Sequence, residues 1–392
     1  MAAPHWVAAV LDVPGWSRRY DTRIDTWTMP SSAAQREKLA LTYAQDGYAL
    51  LRAVYDPHSP AWLRELPAVQ VLQVVLVQNY TRTTGRGGRE VISRRTRTQE
   101  GGDGLPPGHL RLASPYDVDT RWSAKREMFW NGFKLHVTET ATQAAEEARA
   151  YPNLITDVAT TASTVPDIAA LEGIHQRQQR RGVLPGEQYL DSGYASAEAI
   201  VRAASTYGVA LITPVLLDQS AQARMWQGFD QAAFTIDWKY QQVTCPMGRR
   251  SSSWSPCTQR GKPVTVVKFT QTTCTPCPVR ERCTTGHARY RQLTLHPRAM
   301  TETLRTARAE QAGRDWRADY ALRSGVEGTI RQAVAVTDSR QARYRGLAKT
   351  HLEHVFSAVA LNLIRLDAWW RGRPLDRRRT SHLARLELTL AS

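Results

Sequence analysis

Long apolar runs are missing from this sequence of 392 residues. The longest, VLQVVLV at 71–77, is interrupted by Gln73 and is far shorter than the roughly 20 residues that a membrane-spanning helix requires. The N-terminus, MAAPHWVAAVLDVPGW, has neither the basic region nor the continuous apolar region of a secretory signal. We therefore expect a cytoplasmic protein.

Acidic residues are few relative to basic ones. The 36 Asp and Glu residues stand against 52 Lys and Arg residues, which gives a net charge of +16 at pH 7. Such an excess favours a polyanionic partner, because phosphate contacts then dominate the affinity; a well-solvated surface is the alternative. Arginines cluster in GRGGREVISRRTRT (85–98) and RGRPLDRRR (371–379), which we predict to be exposed basic arms.

Cysteine is absent from the sequence outside the interval 245–283, which contains Cys245, Cys257, Cys274, Cys277 and Cys283. Disulfides are not expected in a cytoplasmic chain. The CxxC pair, Cys274 and Cys277, can place two thiolates on one metal ion, and Cys245 and Cys283 would complete a tetrahedral site, leaving Cys257 over. A structural zinc ribbon is our first hypothesis. A site that has lost its metal and a set of ordinary reduced thiols are the alternatives.

The first part of the chain has a helical pattern. Apolar residues recur at helical spacing between 33 and 54, and Ser31 or Ser32 is available as the cap. A second helix is predicted over 61–76, where Pro67 should kink or divide it. We assign 1–83 as a helical segment and 84–110, which is rich in Gly, Pro and charge, as a basic linker.

From residue 117 the pattern changes to strands alternating with helices, which predicts an α/β sheet covered by helices. Strands are predicted at 132–139, 153–160, 189–191 and 209–215, with helices between them and a stop at Gly208. The interval 228–297 departs from this pattern and is predicted to be a cysteine-rich β insertion. Helices resume as one long basic helix over 298–323 and a final helix whose core-facing residues are predicted to be Leu352, Val355, Phe356, Val359, Leu363 and Leu366.

Two carboxylates occupy positions that suit catalysis. Asp191 ends a predicted strand, and ligands and catalytic groups gather at the carboxyl ends of strands in open sheets; alone, an Asp before Ser-Gly is also a common turn former. Glu327 begins a helix, where a Glu often only stabilises the helix dipole. Two acids placed in this way can converge to hold divalent cations for phosphodiester chemistry.

Several ordered motifs carry a family resemblance. They are WNGFKLHVTET, YLDSGY, C-x-x-CP-x-R-x-x-C, R-x-G-VEGTI, ARYRGLAKTHLEHV and LNLIRL. Over 110–370 the sequence resembles the DDE transposases of bacterial insertion sequences, in the branch with a cysteine-containing insertion. The resemblance implies an RNase H-like mixed sheet in a catalytic domain at 111–370, followed by a basic tail at 371–392, with Asp191 as the second catalytic Asp and Glu327 as the catalytic Glu.

The first catalytic Asp of that family has no match in the sequence. In the family it lies on the first strand of the catalytic sheet, upstream of the helical segment with which this chain opens. We therefore expect an N-terminally truncated copy. Asp117 and Asp119 precede the strand at 132–139 and are possible substitutes for the first acid.

The resemblance also implies cofactors and partners. These are Mg²⁺ or Mn²⁺ at Asp191 and Glu327, double-stranded DNA as transposon ends and target, a homo-oligomer when active, and association with the nucleoid. Candidate phosphate contacts are Arg323, Arg343, Arg345, Lys349 and His351. Two other hypotheses stay open: a DNA-binding relic without cleavage activity, and a different metal-dependent nuclease in which Asp117 or Asp119 completes the site.

Overall fold

The computed structural model describes residues 3–20, 29–96, 104–125, 127–141, 151–284 and 289–372. The chain divides into two compact units: Met1–Lys134, Thr160–Val165 and Ala342–Glu353 form the first, and Leu135–Ala159, Pro166–Gln341 and His354–Ser392 form the second. Within the described ranges, no helix has the length and apolarity that crossing a membrane requires. Of the basic tail predicted at 371–392, residues 373–392 lie outside the described residues.

The first unit opens with four helices: α1 (Pro4–Val10), α2 (Val13–Tyr20), α3 (Ala33–Val54) and α4 (Pro67–Asn79). The predicted cap of α3 is confirmed, because Ser32 Oγ accepts a hydrogen bond from the Gln35 amide at 3.1 Å. The division at Pro67 is also confirmed, since a short 3₁₀ turn precedes it and Pro67 opens α4, where its missing N–H costs nothing. Val54, Leu63 and Val69 form the buried core beneath these helices.

Part of the interval predicted as a linker is a hairpin. Strands β1 (Tyr80–Thr84) and β2 (Glu90–Arg94) pair antiparallel, and Gly87 turns the chain between them with φ 76°. Threonine-rich β1 has the β-branched side chains that favour strands. Glu90 of β2 forms an ion pair with Arg82 of β1, so one of the predicted basic arms is built as a charged hairpin.

The alternation of strands and helices predicted from residue 117 onward is confirmed. The elements are β3 (Arg121–Lys125), β4 (Met128–Glu139), β5 (Ile155–Ala162), α5 (Ile168–Arg180), β6 (Glu187–Tyr189), α6 (Ala197–Arg202) and β7 (Ala210–Ile212). Strands β3, β4 and β5 form one sheet with β4 in the centre, and β6 pairs parallel with β7 in another. Gly208 ends the helical stretch after α6 in the left-handed conformation, φ 67°, as predicted. The expected single mixed sheet is therefore present as separate small sheets in the described part of the chain.

The second unit also contains the predicted insertion, which has its own core. Helix α7 (Ala221–Met225) precedes the insertion, whose elements are β8 (Thr235–Asp237), β9 (Gln242–Thr244), β10 (Ser253–Gln259), β11 (Lys262–Lys268), α8 (Gln271–Cys274), α9 (Arg280–Cys283) and β12 (Gln292–Leu295). Strands β10, β11 and β12 form an antiparallel sheet. Phe234, Val267 and Leu295 are buried in its core. Burial of these apolar side chains within the insertion stabilises it.

The predicted long helix over 298–323 is wrong, because the chain divides it into α10 (Arg298–Glu310) and α11 (Arg314–Tyr320). Gly313 lies at the break, and a β-carbon there would lie 3.1 Å from the Glu310 carbonyl oxygen. Glycine has low helix propensity, and the Gly313 amide closes a turn onto Glu310 instead. Two helices follow: α12 (Ser324–Thr337) and α13 (Leu347–Trp370).

The predicted buried face of α13 is also wrong in part. The residues that are buried on this helix include His354, Ala358, Leu361 and Arg365. The apolar residues Leu352, Phe356, Val359 and Leu363 form an exposed row, with Phe356 64% exposed. The prediction placed the wrong face of α13 in the core because it did not allow for a buried arginine. Arg365 is buried against a charged partner that is described below.

Candidate active site

Asp191 follows the carboxyl end of a parallel strand, as predicted. The Leu190 amide continues the pairing of β6 with β7 by donating to the Ile212 carbonyl at 3.0 Å. Asp191 Oδ1 accepts a hydrogen bond from the Gly193 amide at 2.6 Å, which is the turn-forming role expected for Asp before Ser-Gly. Oδ2 receives no hydrogen bond from the described residues, so this oxygen can still bind a cation.

A second carboxylate lies beside Asp191. A β-carbon at Gly193 would lie 2.9 Å from both Asp167 Oδ2 and Asp191 Oδ1, so these oxygens are separated by no more than twice that distance. Asp167 immediately precedes α5 but does not cap it through its side chain. Asp167 was not predicted as a site residue, because an acid in VPD at the start of a helix is more often a cap.

Tyr194 lies between these acids and β4. Its hydroxyl forms a short hydrogen bond with His136 Nδ1, and the two rings meet edge to face with centroids 5.9 Å apart. Burial raises the pKa of Tyr194, and the Asp167 and Asp191 carboxylates raise it further. The phenol therefore stays protonated at neutral pH, and it is a neutral hydroxyl next to two negative charges.

Glu327 is in the first turn of α12 and its side chain is 58% exposed. Arg323 Nη2 donates to Glu327 Oε1 at 2.8 Å, so this arginine, predicted as a phosphate contact, is paired with the predicted catalytic Glu. Burial raises the pKa of Tyr320, Arg323 lowers it, and Asp191 and Glu327 both raise it. Both carboxylates therefore favour the protonated form of the Tyr320 hydroxyl.

A buried network fixes the helix that carries Glu327. Arg365 Nη1 of α13 donates to Glu139 Oε2 of β4 at 2.9 Å, and both side chains are less than a tenth exposed. Thr329 of α12 donates its hydroxyl to the same Glu139 oxygen and accepts from Arg365. Arg365 Nε also donates to Gln332 Oε1 at 3.2 Å. The buried face of α12 is therefore held at two positions one turn apart, while Glu327 faces outward.

Four of the five cysteines meet in the insertion. Cys245, Cys274, Cys277 and Cys283 line one cavity of about 30 Å³, whereas Cys257 is exposed on β10. Burial raises the pKa of Cys283, Arg291 lowers it, and the other three thiols raise it. The Arg249 amide donates to Cys245 Sγ at 3.3 Å. The spacing-based grouping of these four residues is thus reproduced in space.

Arg291 completes the lining of that cavity and is 8% exposed. Its Nη1 donates to the Cys283 carbonyl oxygen at 2.9 Å, but its buried Nε has no hydrogen-bond partner. A buried guanidinium N–H without an acceptor is costly, and an anionic group in the cavity would compensate it.

Residues 244–367 match the family model of the transposase DDE domain. The match covers the cysteine cavity, Glu327 and most of α13, and Asp191 precedes it. It supports a transposase and, with it, DNA transposition and recombination. No curated protein and no solved structure is detectably similar to the chain.

In the first unit, Asp117 and Asp119 bind the start of a helix. Asp117 Oδ2 accepts from the Gly346 amide at 3.0 Å, and Asp119 Oδ2 accepts from the Leu347 amide at 2.8 Å. These amides begin α13 and have no partners within the helix. Both acids are therefore helix caps, which is a sufficient reason for their presence.

The other predicted DNA contacts surround the same helix start. Arg343 Nε lies 3.9 Å from Glu353 Oε1, and the Arg345 guanidinium lies 5.3 Å from the centre of the Tyr116 ring. Lys349 is exposed on α13, and His351 Nδ1 lies 3.2 Å from Thr160 Oγ1. Arg345 and Lys349 project charge toward solvent, whereas Arg343 and His351 have neighbours of their own.

Across the described part of the chain, no group of three or more His, Cys, Asp and Glu side chains is arranged so that it could hold a metal ion. DDE transposases as a family typically use divalent metal ions. The donor chemistry of Asp167 and Asp191 fits such an ion, because hard cations prefer carboxylate oxygens. The four thiols fit a softer ion.

Proposed function

We propose that this chain is a DNA transposase of an insertion sequence, which cleaves transposon ends and joins them to target DNA in a metal-dependent reaction. The observation that carries the proposal is the pair of carboxylates at the turn after β6, where a β-carbon at Gly193 would lie 2.9 Å from both Asp167 Oδ2 and Asp191 Oδ1. The match of 244–367 to the transposase DDE domain supports it independently. The acid after the parallel strand β6 and the alternation of strands and helices are consistent with an RNase H-like catalytic domain.

In this proposal Asp191 and Asp167 would hold the ions, and Glu327 would join them on leaving its pair with Arg323, because the described residues contain no ready-formed group of three ligands. When bound, Mg²⁺ or Mn²⁺ supplies Lewis acidity and charge stabilisation for displacement at a phosphodiester. Asp167 takes the place of the first family acid, which has no match in these 392 residues. Asp191 offers Oδ2, since Oδ1 is bound to the Gly193 amide.

The remaining side chains of the site orient rather than react. Protonated Tyr194 forms a hydrogen bond with His136 through its hydroxyl and remains a neutral group under the influence of Asp167 and Asp191. Arg323 neutralises Glu327 until an ion or a phosphate competes for it. The network of Glu139, Thr329 and Arg365 maintains the orientation of α12.

Double-stranded DNA is the proposed partner. The net charge of +16 favours it, and Arg345 and Lys349 are candidates for sequence-independent phosphate contacts. Both ends of a transposon must be processed together, so we propose that the active form is a homo-oligomer.

A plasmid assay tests the function. Purified full-length chain is incubated with supercoiled plasmid in Mn²⁺ or Mg²⁺, and nicked and linear products are measured. We expect Asp191→Asn, Glu327→Gln and Asp167→Asn each to lower the cleavage rate at least about 100-fold, because each removes a ligand charge without changing shape. Asp119→Asn is the matched control and should leave the rate unchanged.

The outcomes separate the alternatives. DNA binding without cleavage by the unaltered chain would favour the non-enzymatic relic. Cleavage that survives Asp191→Asn but is lost in Asp119→Asn would favour the other metal-dependent nuclease. Unchanged cleavage in Asp167→Asn alone would remove Asp167 from the site and leave Asp191 and Glu327 in it.

We also propose that Cys245, Cys274, Cys277 and Cys283 hold a structural Zn²⁺. Four thiolates on Zn²⁺ leave a net negative charge, which would satisfy the buried Nε of Arg291. Binding would require the four sulfur atoms to close to about 2.3 Å from the ion.

Metal analysis of the purified chain tests this site. We expect about one zinc ion per chain by mass spectrometry and loss of that ion in Cys274→Ser, because thiolate coordination requires all four ligands. Cys257→Ser is the control and should retain full zinc content. Zinc-free protein with unchanged thermal stability would show that the thiols are ordinary.

A further inference from the structure

The hairpin of β1 and β2 carries two arginines at its tip, residues 85–89, that the proposed function does not use. Arg86 and Arg89 are exposed, and within the described part of the chain neither guanidinium forms a hydrogen bond or an ion pair. Nearby, Arg82 of β1 and Arg52 of α3 are both paired with Glu90. Two guanidinium groups without partners at the end of a hairpin are typical of a surface that binds an anion.

The backbone of the tip is closed and has no side chain between the two arginines. The Gly85 amide donates to the Arg89 carbonyl oxygen at 2.8 Å, and the Gly88 amide donates to the Gly85 carbonyl oxygen at 3.2 Å. Gly87 and Gly88 separate the arginines, and both have φ 76°. Glycine suits this conformation and also lets a backbone approach a ligand closely. The tip is therefore a narrow turn with a cation on each side.

Helix α3 supports one face of the hairpin. Tyr80 Oη donates to the Ala40 carbonyl oxygen at 2.9 Å, and the Arg82 guanidinium lies 4.9 Å from the centre of the Tyr48 ring. These contacts fix the hairpin on the helical part of the first unit. The tip is therefore held in place before a ligand binds, which lowers the entropy cost of binding.

The other face of the hairpin has hydroxyl groups and no carboxylate. It consists of Thr81, Thr83, Val91 and Ser93, which alternate with the residues on the α3 side. Thr81 Oγ1 and Ser93 Oγ lie 2.7 Å apart. Glu90 is the only acid among residues 80–94, and it lies on the α3 side, where arginines neutralise it. Hydroxyl groups commonly contact phosphates and sugars, so this face suits a nucleic acid backbone.

The shape of the tip favours the minor groove of DNA. That groove is about 6 Å wide, which excludes a two-stranded ribbon but admits arginine side chains. Runs of A·T pairs narrow the groove and strengthen its negative potential. Guanidinium groups enter such a groove at low cost because they are weakly hydrated.

We propose that Arg86 and Arg89 enter the minor groove of the bound duplex at A·T pairs, with the hydroxyl face of the hairpin beside the phosphates. This proposal rests on the proposed function, since it requires duplex DNA as the partner. It gives the chain a preference among DNA sequences that depends on groove shape and needs no contact in the major groove.

Three duplexes that differ only in a central tract of A·T, I·C or G·C pairs test the proposal. Inosine lacks the minor-groove amino group of guanine, so an I·C tract combines a minor groove like that of A·T with a major groove like that of G·C. We expect the full-length chain to bind the A·T and I·C duplexes with similar affinity and the G·C duplex roughly tenfold more weakly. Fluorescence anisotropy measures the three affinities.

Two double variants test the arginines themselves. Arg86→Ala with Arg89→Ala should bind the three duplexes equally, because no side chain then enters the groove. Arg86→Lys with Arg89→Lys retains the charge and should keep the affinity for the G·C duplex but lose most of the preference, since an ammonium is more strongly hydrated. The matched control, Arg18→Ala with Lys38→Ala, removes two exposed cations from α2 and α3 and should keep the full preference.

The contrary outcomes can be told apart. A preference that survives in the alanine double variant would overturn the role of the tip. Tighter binding of the A·T duplex than of the I·C duplex would overturn minor-groove insertion, because those two differ in the major groove. Equal binding of all three duplexes by the unaltered chain would also overturn it, with DNA still the partner. Failure of the unaltered chain to bind any duplex would overturn the proposed function itself.

Discussion

Trp226 follows the last residue of α7 in the left-handed conformation, φ 53°, which glycine adopts without crowding. The left-handed conformation costs an L-residue roughly 1–2 kcal/mol, and the exposed indole contributes little packing in return. Glycine recovers that cost but loses about 0.5–1 kcal/mol through the freedom of its unfolded chain. We predict that Trp226→Gly raises the free energy of unfolding by about 0.5–1 kcal/mol in urea denaturation. Trp226→Ala, which retains the β-carbon, should give no such gain; an equal gain would mean that the indole itself destabilises the fold.

The capping role of Asp119 can be measured separately from any effect on catalysis. Its carboxylate accepts the first amide of α13, and loss of a helix cap costs about 1 kcal/mol. We predict that Asp119→Ala lowers the free energy of unfolding by about that amount and leaves metal-dependent cleavage unchanged. Urea denaturation and the plasmid assay measure the two effects. Unchanged stability with lost cleavage would contradict the capping role.

Single residues also show which features could be predicted from the sequence. The position of Asp191 after a strand could be predicted because a strand pattern, a turn and a helix pattern surround it within twenty residues. Asp167 could not, since its proximity to Asp191 depends on how α5 and the turn at Gly193 come together. Glu327 could be predicted from its motif, but its pairing with Arg323 requires the helical spacing of four residues to be read as a contact.

At the scale of elements, α12 and α13 depend on a buried charge. Removing one partner of a buried ion pair leaves the other charge uncompensated, at a cost of about 3–5 kcal/mol. We predict that Arg365→Met lowers the free energy of unfolding by that amount, because Glu139 stays buried without its partner. Urea denaturation provides the measurement.

The control for this pair is the double variant Glu139→Gln with Arg365→Met. It should recover most of the stability, since it buries no unpaired charge. A double variant as unstable as Arg365→Met alone would show that packing of the Arg365 stem, rather than its charge, stabilises these helices.

The same pair explains why the buried face of α13 could not be predicted. Periodicity assigns apolar residues to the core and arginine to solvent. Arg365 reverses this because Glu139 and Thr329, which are far away in sequence, satisfy its donors. The exposed row from Leu352 to Leu363 is the consequence on the other side of the helix. The break at Gly313 is a different case. The glycine is visible in the sequence, but the sequence does not show whether its low helix propensity outweighs the long helical pattern on either side.

At the scale of the whole molecule, net charge predicts the salt dependence of DNA binding. Each phosphate contact contributes about −0.9 to the slope of log affinity against log salt. We predict that affinity for a paired duplex falls by about 10³-fold or more between about 50 mM and 200 mM salt, as expected for six or more contacts. Fluorescence anisotropy measures this slope.

Lys349 provides the matched variant for that experiment. Because it is exposed on α13, Lys349→Ala should reduce the slope by about one contact and weaken binding similarly for all sequences. Arg343→Ala should change the slope less, since Arg343 is near Glu353. Equal slopes in all three proteins would place the DNA elsewhere.

The order of helices and strands could be predicted from sequence patterns, whereas the way in which the strands pair into sheets could not. Alternating strands, the capped helix α3 and a separate insertion were all predicted and are present. The division into small sheets could not be predicted, because β6 and β7 have only three residues each and their pairing depends on chain segments far apart in sequence.

Cys257 is an exposed thiol that can be labelled selectively. It lies exposed on β10, paired across the hairpin with Val264, while the other four thiols line the interior cavity. A maleimide dye should therefore attach to this hairpin in the metal-loaded protein and to all five thiols after chelation. The labelling stoichiometry would report the state of the cavity, and energy transfer from the dye to end-labelled DNA would show which side of the insertion faces the duplex.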